Sequence, residues 1–312
     1  MTGKSYNKPE GERVKPVYLI FQNTRFRVMQ GIDRIIVCPS QSQFPNELSQ
    51  ILHTLTIAKK IHFYKEVGST QDLAISIVKK KFEDTHGTVI IAERQKNGKG
   101  RIDRKWISPK GGVWLSVILK PKIKAAQATL LPIVAALAVC DTINQRTRLN
   151  SKIKWPNDIV IEGKKVSGTL VDISIDSKNI EYAVLGIGIN ANVDVTNIMR
   201  YIDTNSRTRA LEMTSLKKEL SGKKVNIIDL SRILLEKLEY YYLQLEKHYS
   251  KRIIQKCRQR SETLNNLVVV EQQNESFECK AIDIDSDGAL IVKKSDNNIS
   301  RIVAGDALVR RK

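Results

Sequence analysis

The chain has 312 residues, 41% of them hydrophobic and 27% charged, enough for about two domains around a sizeable core. Its 52 Lys+Arg against 33 Asp+Glu give a net charge of +19, a field that favours polyanions such as nucleic acid, acidic protein surfaces or anionic metabolites without choosing among them. The cysteines (Cys38, Cys140, Cys257, Cys279) are scattered with no CxxC pair, and the histidines (His53, His62, His86, His248) form no ligand pair at helical spacing, which argues against a disulfide framework or a transition-metal site. No apolar run reaches membrane-spanning length, and the opening MTGKSYNKPEGERVKP has neither a signal-peptide core nor the amphipathic pattern of a transit peptide. A cytoplasmic protein with reduced thiols is the expectation.

In chain order, residues 17–37 alternate apolar and polar positions (Val17, Leu19, Phe21, then Ile35–Val37) and read as short strands. Asn46 to Lys60 reads as one helix through Leu48, Ile51, Leu52, Leu55 and Ala58. A second helix begins near Ser69, where Ser69 and Asp72 stand three apart as at a capped start, ahead of an apolar stripe of Leu73, Ala74, Ile77 and Val78. Thr88–Ala92 and Val113–Leu119 read as buried strands. Residues 125–144 have helical period with Pro132 near the start. Three β-rich pieces follow: Ile153–Trp155 leading into Ile159–Ile161, Lys165–Ile175, and Tyr182–Asn190. Polar residues 194–212 read as a mobile loop, and a long helix carries Leu230, Ile233, Leu234, Leu238, Tyr241, Tyr242 and Leu245 on one side. After a cationic link, KRIIQKCRQR, residues 266–312 read as short strands (Leu267–Val270, Glu278–Ile284, Ala289–Val292, Ile302–Val309) around an Asp285-Ser-Asp-Gly288 turn, the size of an SH3-like barrel.

The most informative dozen residues lie between two of the strands: QKNGKGRIDRKW, Gln95 to Trp106. Gly98 and Gly100 let the backbone lie close to a ligand, while Lys96, Lys99, Arg101, Arg104 and Lys105 can converge on negative charge. A basic loop with glycines is often only a solvated turn. Neither nucleotide fingerprint fits, since no Gly satisfies GxxxxGK followed by Ser or Thr, and Asp103 stands where the third glycine of GxGxxG would be. An anion-binding loop of a less common design remains.

Further motifs sit on or beside strands. In KWPND, Lys154–Asp158, Pro156 ends or turns the strand and leaves Asn157 and Asp158 at its tip, where an amide and a carboxylate can serve Mg²⁺, ribose or an amine, or simply form a turn. In KKVSGTLVDIS, Lys164–Ser174, Gly168 permits close approach, and Lys165 is either a strand-end lysine in solvent or one that faces a site on the side of Ser167. In LGIGINAN, Leu185–Asn192, glycines at period two leave a flat floor that Asn190 closes with a polar group.

In this order, and with GSTQD before them and MTSL and DSDGAL after them, these segments resemble the biotin–protein ligases over residues 61–312. The resemblance implies an α+β fold: a mixed β-sheet catalytic domain flanked by helices, of the class II synthetase-like biotin/lipoate ligase type, over residues 61–262. A small SH3-like β-barrel would follow over 263–312, with an extension of unclear role over 1–60. It implies that biotin and ATP condense, with Mg²⁺, to biotinyl-5′-AMP, and that a lysine of a biotin carboxyl carrier domain then takes the biotin. Ser69, Thr70, Gln71 and Gln95 would meet the ureido ring. Lys99, Gly100 and Arg101 would line the biotin tail and phosphate. Lys165 would reach the carboxylate and α-phosphate, over a floor including Gly168 and Gly188. Arg101, Arg104, Trp106, Lys154, Asn157, Asp158 and Asn190 would serve the nucleotide, with Asp158 and Asn190 on the Mg²⁺ side, and Lys165 and Arg101 would be catalytic. Trp106 and the 194–214 loop would cover the adenylate, and a homodimer through the sheets is compatible with the family.

Against the usual loop pattern GRGRxGR, Lys99 replaces an arginine and Asp103 a glycine, and Gln71 replaces the more usual Asn, changes that bear on affinity. The lipoate ligases would show an RRxxGGG-type segment, which this chain lacks. A DNA-binding repressor would need two helices, a tight turn and a β-wing in residues 1–60, where only one helix is expected, so DNA is not an expected partner.

Overall fold

A computed structural model describes residues 17–21, 24–28, 35–38, 42–80, 84–102, 104–177, 179–196, 212–272 and 275–310. Everything is hung on an eight-stranded mixed sheet. From edge to edge its strands are β3 (Ile35–Val37), β4 (Lys60–Val67), β5 (Val89–Gln95), β6 (Val113–Leu119), β10 (Asn179–Ile189), β9 (Lys164–Asp176), β8 (Asp158–Ile161) and β7 (Ser151–Lys154). The first three are parallel, and from β5 onward each neighbour is antiparallel. A separate hairpin pairs β1 (Val17–Phe21) with β2 (Thr24–Val28).

Period-two alternation sorts the central strands onto two faces. Leu115, Val117 and Leu119 of β6, with Ala183, Leu185, Ile187 and Ile189 of β10, enter the large core. That core is filled by α3 (Leu131–Thr147) and, after the one-turn α4 (Leu216–Glu219), by α5 (Ile227–Glu246), which packs on α3, with α6 (Ser250–Arg260) beside them. The segment Ala125–Thr147 is long and apolar enough to cross a membrane, but most of it is buried inside the fold, which explains why α3 is apolar on every side. Ile118 and Val184 look to the opposite face, where they meet Ala74 and Val78 of α2 (Thr70–Lys79). The start of α2 is as its sequence predicts: Ser69 Oγ accepts from the Asp72 amide at 3.3 Å.

Three expectations change. The helix expected over Asn46–Lys60 is α1, Phe44–Ile51. Beyond it the amides of Leu55, Thr56 and Ile57 donate to the Glu239 carboxylate of α5 at 2.8, 2.6 and 2.7 Å, so a tertiary anion takes the N–H groups that a longer helix would have used. KRIIQKCRQR is no link but helix α6, whose Ile253, Ile254 and Cys257 are buried beneath a coat of cations that hides the period. The C-terminal unit is the small all-β unit expected, an antiparallel sheet of five strands among the described residues, but its last strand is broken. Its order is β14 (Ile299–Ile302), β13 (Leu290–Lys294), β12 (Glu275–Ile284), β11 (Leu267–Gln272) and β15 (Asp306–Val309), the run expected as one strand over 302–309 being split at Gly305. Because β3 joins the main sheet beside β4, residues 1–60 are in part built into that sheet. The greater part of the expected loop over 194–212 lies outside the described residues.

The two units meet at Trp155. Its indole Nε1 donates to the Gly288 carbonyl at 2.9 Å and its amide to Thr263 Oγ1 at 2.9 Å. Gly288, at φ +84°, sits against α3 so closely that a Cβ there would come 2.5 Å from Ile133 Cδ1. On the far side, replacing Glu239 by Ala would strand three backbone donors at once. With about 1–3 kcal/mol for an unsatisfied buried donor and partial relief by water, a loss of about 3 kcal/mol is expected, read from the urea midpoint.

Candidate active site

The α2 face of the sheet is bare where β9 and β10 pair. Gly168 lies directly opposite Gly188, and the same row runs outward to Asp158 on β8 and Trp114 on β6. The next row holds Gly186 opposite Leu170 and Ser116. These are the glycines whose period-two spacing predicts a floor. Trp106 lies over it: a Cβ on Gly188 would overlap the indole nitrogen, and one on Gly168 would come 3.2 Å from the ring. Trp106 meets Trp114 edge-on at 6.4 Å, and its buried indole N–H has no hydrogen-bond partner.

At one end of the floor a buried chain of polar groups joins α2 to the strands. Gln95 Oε1 accepts from the Thr70 amide at 2.8 Å and from Thr70 Oγ1 at 3.1 Å, and Gln95 Nε2 donates to Ser108 Oγ at 2.8 Å. Thr70 Oγ1 lies 2.9 Å from Ser116 Oγ, which donates to Gln71 Oε1 at 2.9 Å. Gln71 Nε2 donates to Asp172 Oδ2 at 2.7 Å and to the Val184 carbonyl at 2.9 Å. The structure therefore brings together Ser69, Thr70, Gln71 and Gln95, as their motifs imply. It adds Ser108, Ser116 and Asp172, of which only Asp172 lies in a motif singled out from the sequence, and there without a role.

At the other end stand the charges. Lys165 Nζ is 2.6 Å from Asp158 Oδ1 and 5.2 Å from the Trp106 ring centre. A register shift opposite Ile159/Val160 breaks the simple alternation of β9, so Lys165 shares the Gly168 neighbourhood instead of following Ser167, whose hydroxyl donates to the Gly188 carbonyl at 2.6 Å. Lys154 is buried close by. Burial pushes its ammonium pKa down, opposed chiefly by Asp158 and with Lys165 adding to the depression.

The basic loop closes over this end as a tight turn, with the Gly100 amide donating to the Arg104 carbonyl at 2.7 Å and the Trp106 amide to the Gly98 carbonyl at 2.8 Å. Its cations do not face one another without relief. Lys96 pairs with Glu66 at 2.9 Å and Lys99 with Asp72 at 2.5 Å. Arg101 Nη1 donates to Asn157 Oδ1 at 2.9 Å and to Asp306 Oδ1 at 3.1 Å, its Nη2 donates to the Gly305 carbonyl at 3.2 Å, and Arg104 Nη1 donates to Asp306 Oδ2 at 2.7 Å. Asn157 in turn donates to the Thr169 carbonyl of β9. Lys99 thus points to the N-terminal turn of α2, apart from the arginines, and Asp103 lies outside the described residues.

Asn190 is wholly buried, its Nδ2 donates to the Thr214 carbonyl at 3.1 Å, and its buried Oδ1 has no partner. Its work is to hold the 213–216 segment, which also bridges Lys165 through Met213. Among the described residues no group of three or more His, Cys, Asp or Glu is placed to hold a metal ion.

Comparison with known proteins fits this geometry. Residues 67–190 match the Biotin/lipoate A/B protein ligase family, and residues 263–310 match the Biotin protein ligase C terminal domain. A relative from Bacillus subtilis (strain 168), named Bifunctional ligase/repressor BirA, is 35% identical over 142 residues, which span 45% of this chain and 43% of that protein. The Bacillus spizizenii protein of the same name is 28% identical over 256 residues, 82% of this chain and 75% of its own length. The structure titled Biotin protein ligase from Aquifex aeolicus in complex with biotin and ATP aligns with a TM-score of 0.64 and 27% identity, covering 81% of this chain and 99% of that one.

A mixed sheet followed by a small antiparallel sheet is thus an architecture that this chain shares with the biotin and lipoate ligase class. Within that class the chain belongs to the Biotin/lipoate A/B protein ligase family and carries the C-terminal domain of its biotin protein ligases.

The floor is tightest at Gly186, where a Cβ would come 2.6 Å from Gln71 Oε1. Gln71 is tied at both ends of its amide and cannot retreat without breaking a bond. Gly186→Ala is therefore expected to cost about 1–3 kcal/mol, seen as a lowered thermal midpoint.

Proposed function

We propose that this chain is an ATP-dependent biotin protein ligase, and the observation that carries the reading is the convergence of Arg101, Lys165 and Lys154 beside the paired glycines. Biotin would lie along the floor with its ureido ring at the chain of Ser69, Thr70, Gln71 and Gln95, joined by Ser116. That chain offers both donors and acceptors, as a cyclic urea requires. Its carboxylate would then point toward Lys165, Gly100 and Arg101, with ATP beyond, among Arg101, Arg104, Lys154, Asn157 and Asp158. Trp106, whose indole N–H has no partner over the floor, would cover the acyl-phosphate.

The chemistry needs no side-chain nucleophile. A biotin carboxylate oxygen attacks the α-phosphorus, the bond to pyrophosphate breaks, and biotinyl-5′-AMP forms. An acceptor lysine amine then attacks the acyl carbon, releasing AMP and a proton. The obstacle in the first step is repulsion between carboxylate and triphosphate, and fixed cations in a partly dry site lower it by positioning and electrostatic stabilisation. Mg²⁺, when it comes with the triphosphate, supplies further neutralisation. Such an ion keeps most of its water and needs only one or two protein carboxylates, and Asp158 would supply one. The net charge of +19 favours an acidic carrier domain of a biotin-dependent carboxylase as acceptor, through steering. The buried cysteines, none of them in a disulfide, suit a reducing cytoplasmic setting.

Incubation with biotin, ATP, Mg²⁺ and a carboxyl-carrier domain should place biotin on a single lysine, and a lipoyl or octanoyl product in its stead would overturn the reading. Lys165→Ala and Arg101→Ala should each slow biotin-dependent exchange of labelled pyrophosphate into ATP by about 10²–10³. Near wild-type exchange in both would remove the site assignment. Trypsin cleavage within residues 98–105 should fall when biotin and ATP are added together, because the bound ligands would cover and hold the loop.

A further inference from the structure

Asp306 has no part in the chemistry above, yet it holds both arginines assigned to phosphate. It opens strand β15 of the C-terminal sheet, directly after Gly305, whose carbonyl also accepts from Arg101. Gly305 stands at φ +136°, and a Cβ there would come 2.6 Å from the Glu271 carbonyl oxygen. Only glycine makes that turn easily, and the turn delivers two acceptors to the loop side by side. The Asp306 side chain is 18% exposed. Burial by itself would raise its carboxyl pKa, but Arg101, Arg104 and Lys154 outweigh burial and hold it below the usual range, so the group stays an anion.

The loop held in this way is not relaxed. Ile102, between the latched Arg101 and Asp103, is a β-branched residue at φ +52° with 69% of its surface exposed. Trp106, at the loop's end, keeps a buried N–H without a partner. A strained apolar residue lies between, and an orphaned donor just after, two arginines whose anion comes from the C-terminal sheet. Such strain persists only where surrounding contacts over-determine it, and here the contacts are those to Asp306 and Gly305.

We propose that Asp306 is an internal counter-anion: a latch on the C-terminal sheet that occupies Arg101 and Arg104 until a phosphate-bearing ligand displaces it. The proposal rests on the assignment of those arginines to phosphate in the preceding reading. A carboxylate and a phosphate repel each other and compete for the same guanidinium N–H groups, so filling the site and freeing Asp306 are one event. While latched, the protein binds anions less tightly, by the fraction of molecules in which the arginines are engaged. The C-terminal sheet then reports, through β15, whether the phosphate end of the site is filled.

The test compares the full chain with Asp306→Asn. Calorimetry with inorganic pyrophosphate at low salt should show the variant binding about tenfold tighter, and trypsin should cut it faster at Arg101 and Arg104 when no ligand is present. Equal or weaker binding together with an unchanged cleavage rate overturns the latch, weaker binding marking Asp306 as a positioning residue for the arginines. If the wild-type protein fails in pyrophosphate exchange while Asp306→Asn still binds pyrophosphate more tightly and is cut faster than wild type, the ligase reading is removed and the latch stands. If Asp306→Asn does not fold, hydrogen exchange on the wild-type chain decides. Adding pyrophosphate should speed exchange at 304–307 while slowing it at 98–106, and protection of both segments, or no change in either, overturns the proposal.

Discussion

One constraint governs the site: a sheet surface normally covered by side chains has been stripped where two strands pair. Gly168 opposite Gly188, with Gly186 in the next row, removes three Cβ atoms from the α2 face of β9 and β10 while the opposite face of β10 stays packed with Ala183, Leu185, Ile187 and Ile189. Glycine within a strand costs stability, so the loss must be made good from behind. The apolar face of the same strand, α3 and α5 supply that backing. Precision in front of the floor thus derives from bulk behind it, and Trp106 can lie flat against backbone because nothing beneath can give way.

The second theme is that polar groups around the floor are tied into chains instead of standing alone. Thr70, Ser116, Gln71 and Asp172 form one chain, and Asn157, Arg101 and Asp306 form another. In a partly dry setting each link orients the next, and a ligand that enters must replace bonds already made. Affinity is then a difference between two well-satisfied states. That makes the departures at Gln71 and Lys99 intelligible: Gln71 is long enough to reach Asp172 across the sheet, and Lys99 finds Asp72 of α2.

Much of this could be read from the chain before any coordinates. Periods of two and of 3.6 found the central strands, the capped start of α2 and the long helices, because those elements bury one face and their local pattern agrees with their tertiary place. Four short motifs found the floor, Lys165 and Arg101. What escaped depends on partners distant in sequence. The Leu55–Ile57 amides leave the helical path for a carboxylate about 180 residues further on, which no local window contains. Helix α6 hid because its apolar contacts are few among many cations. Asp306 looked like an ordinary turn residue, its charge having meaning only beside arginines two hundred positions away.

Trp155 carries a consequence for how such a protein can be taken apart. Its ring and amide fasten the KWPND corner to Gly288 and Thr263, so the corner that presents Asn157 and Asp158 borrows its shape from the domain that follows. Grafting a foreign tail onto this sheet would therefore succeed only if the tail brought its own carbonyl and hydroxyl to those two points. The small domain is less an appendage than a mould, and the corner keeps its form only while pressed against it.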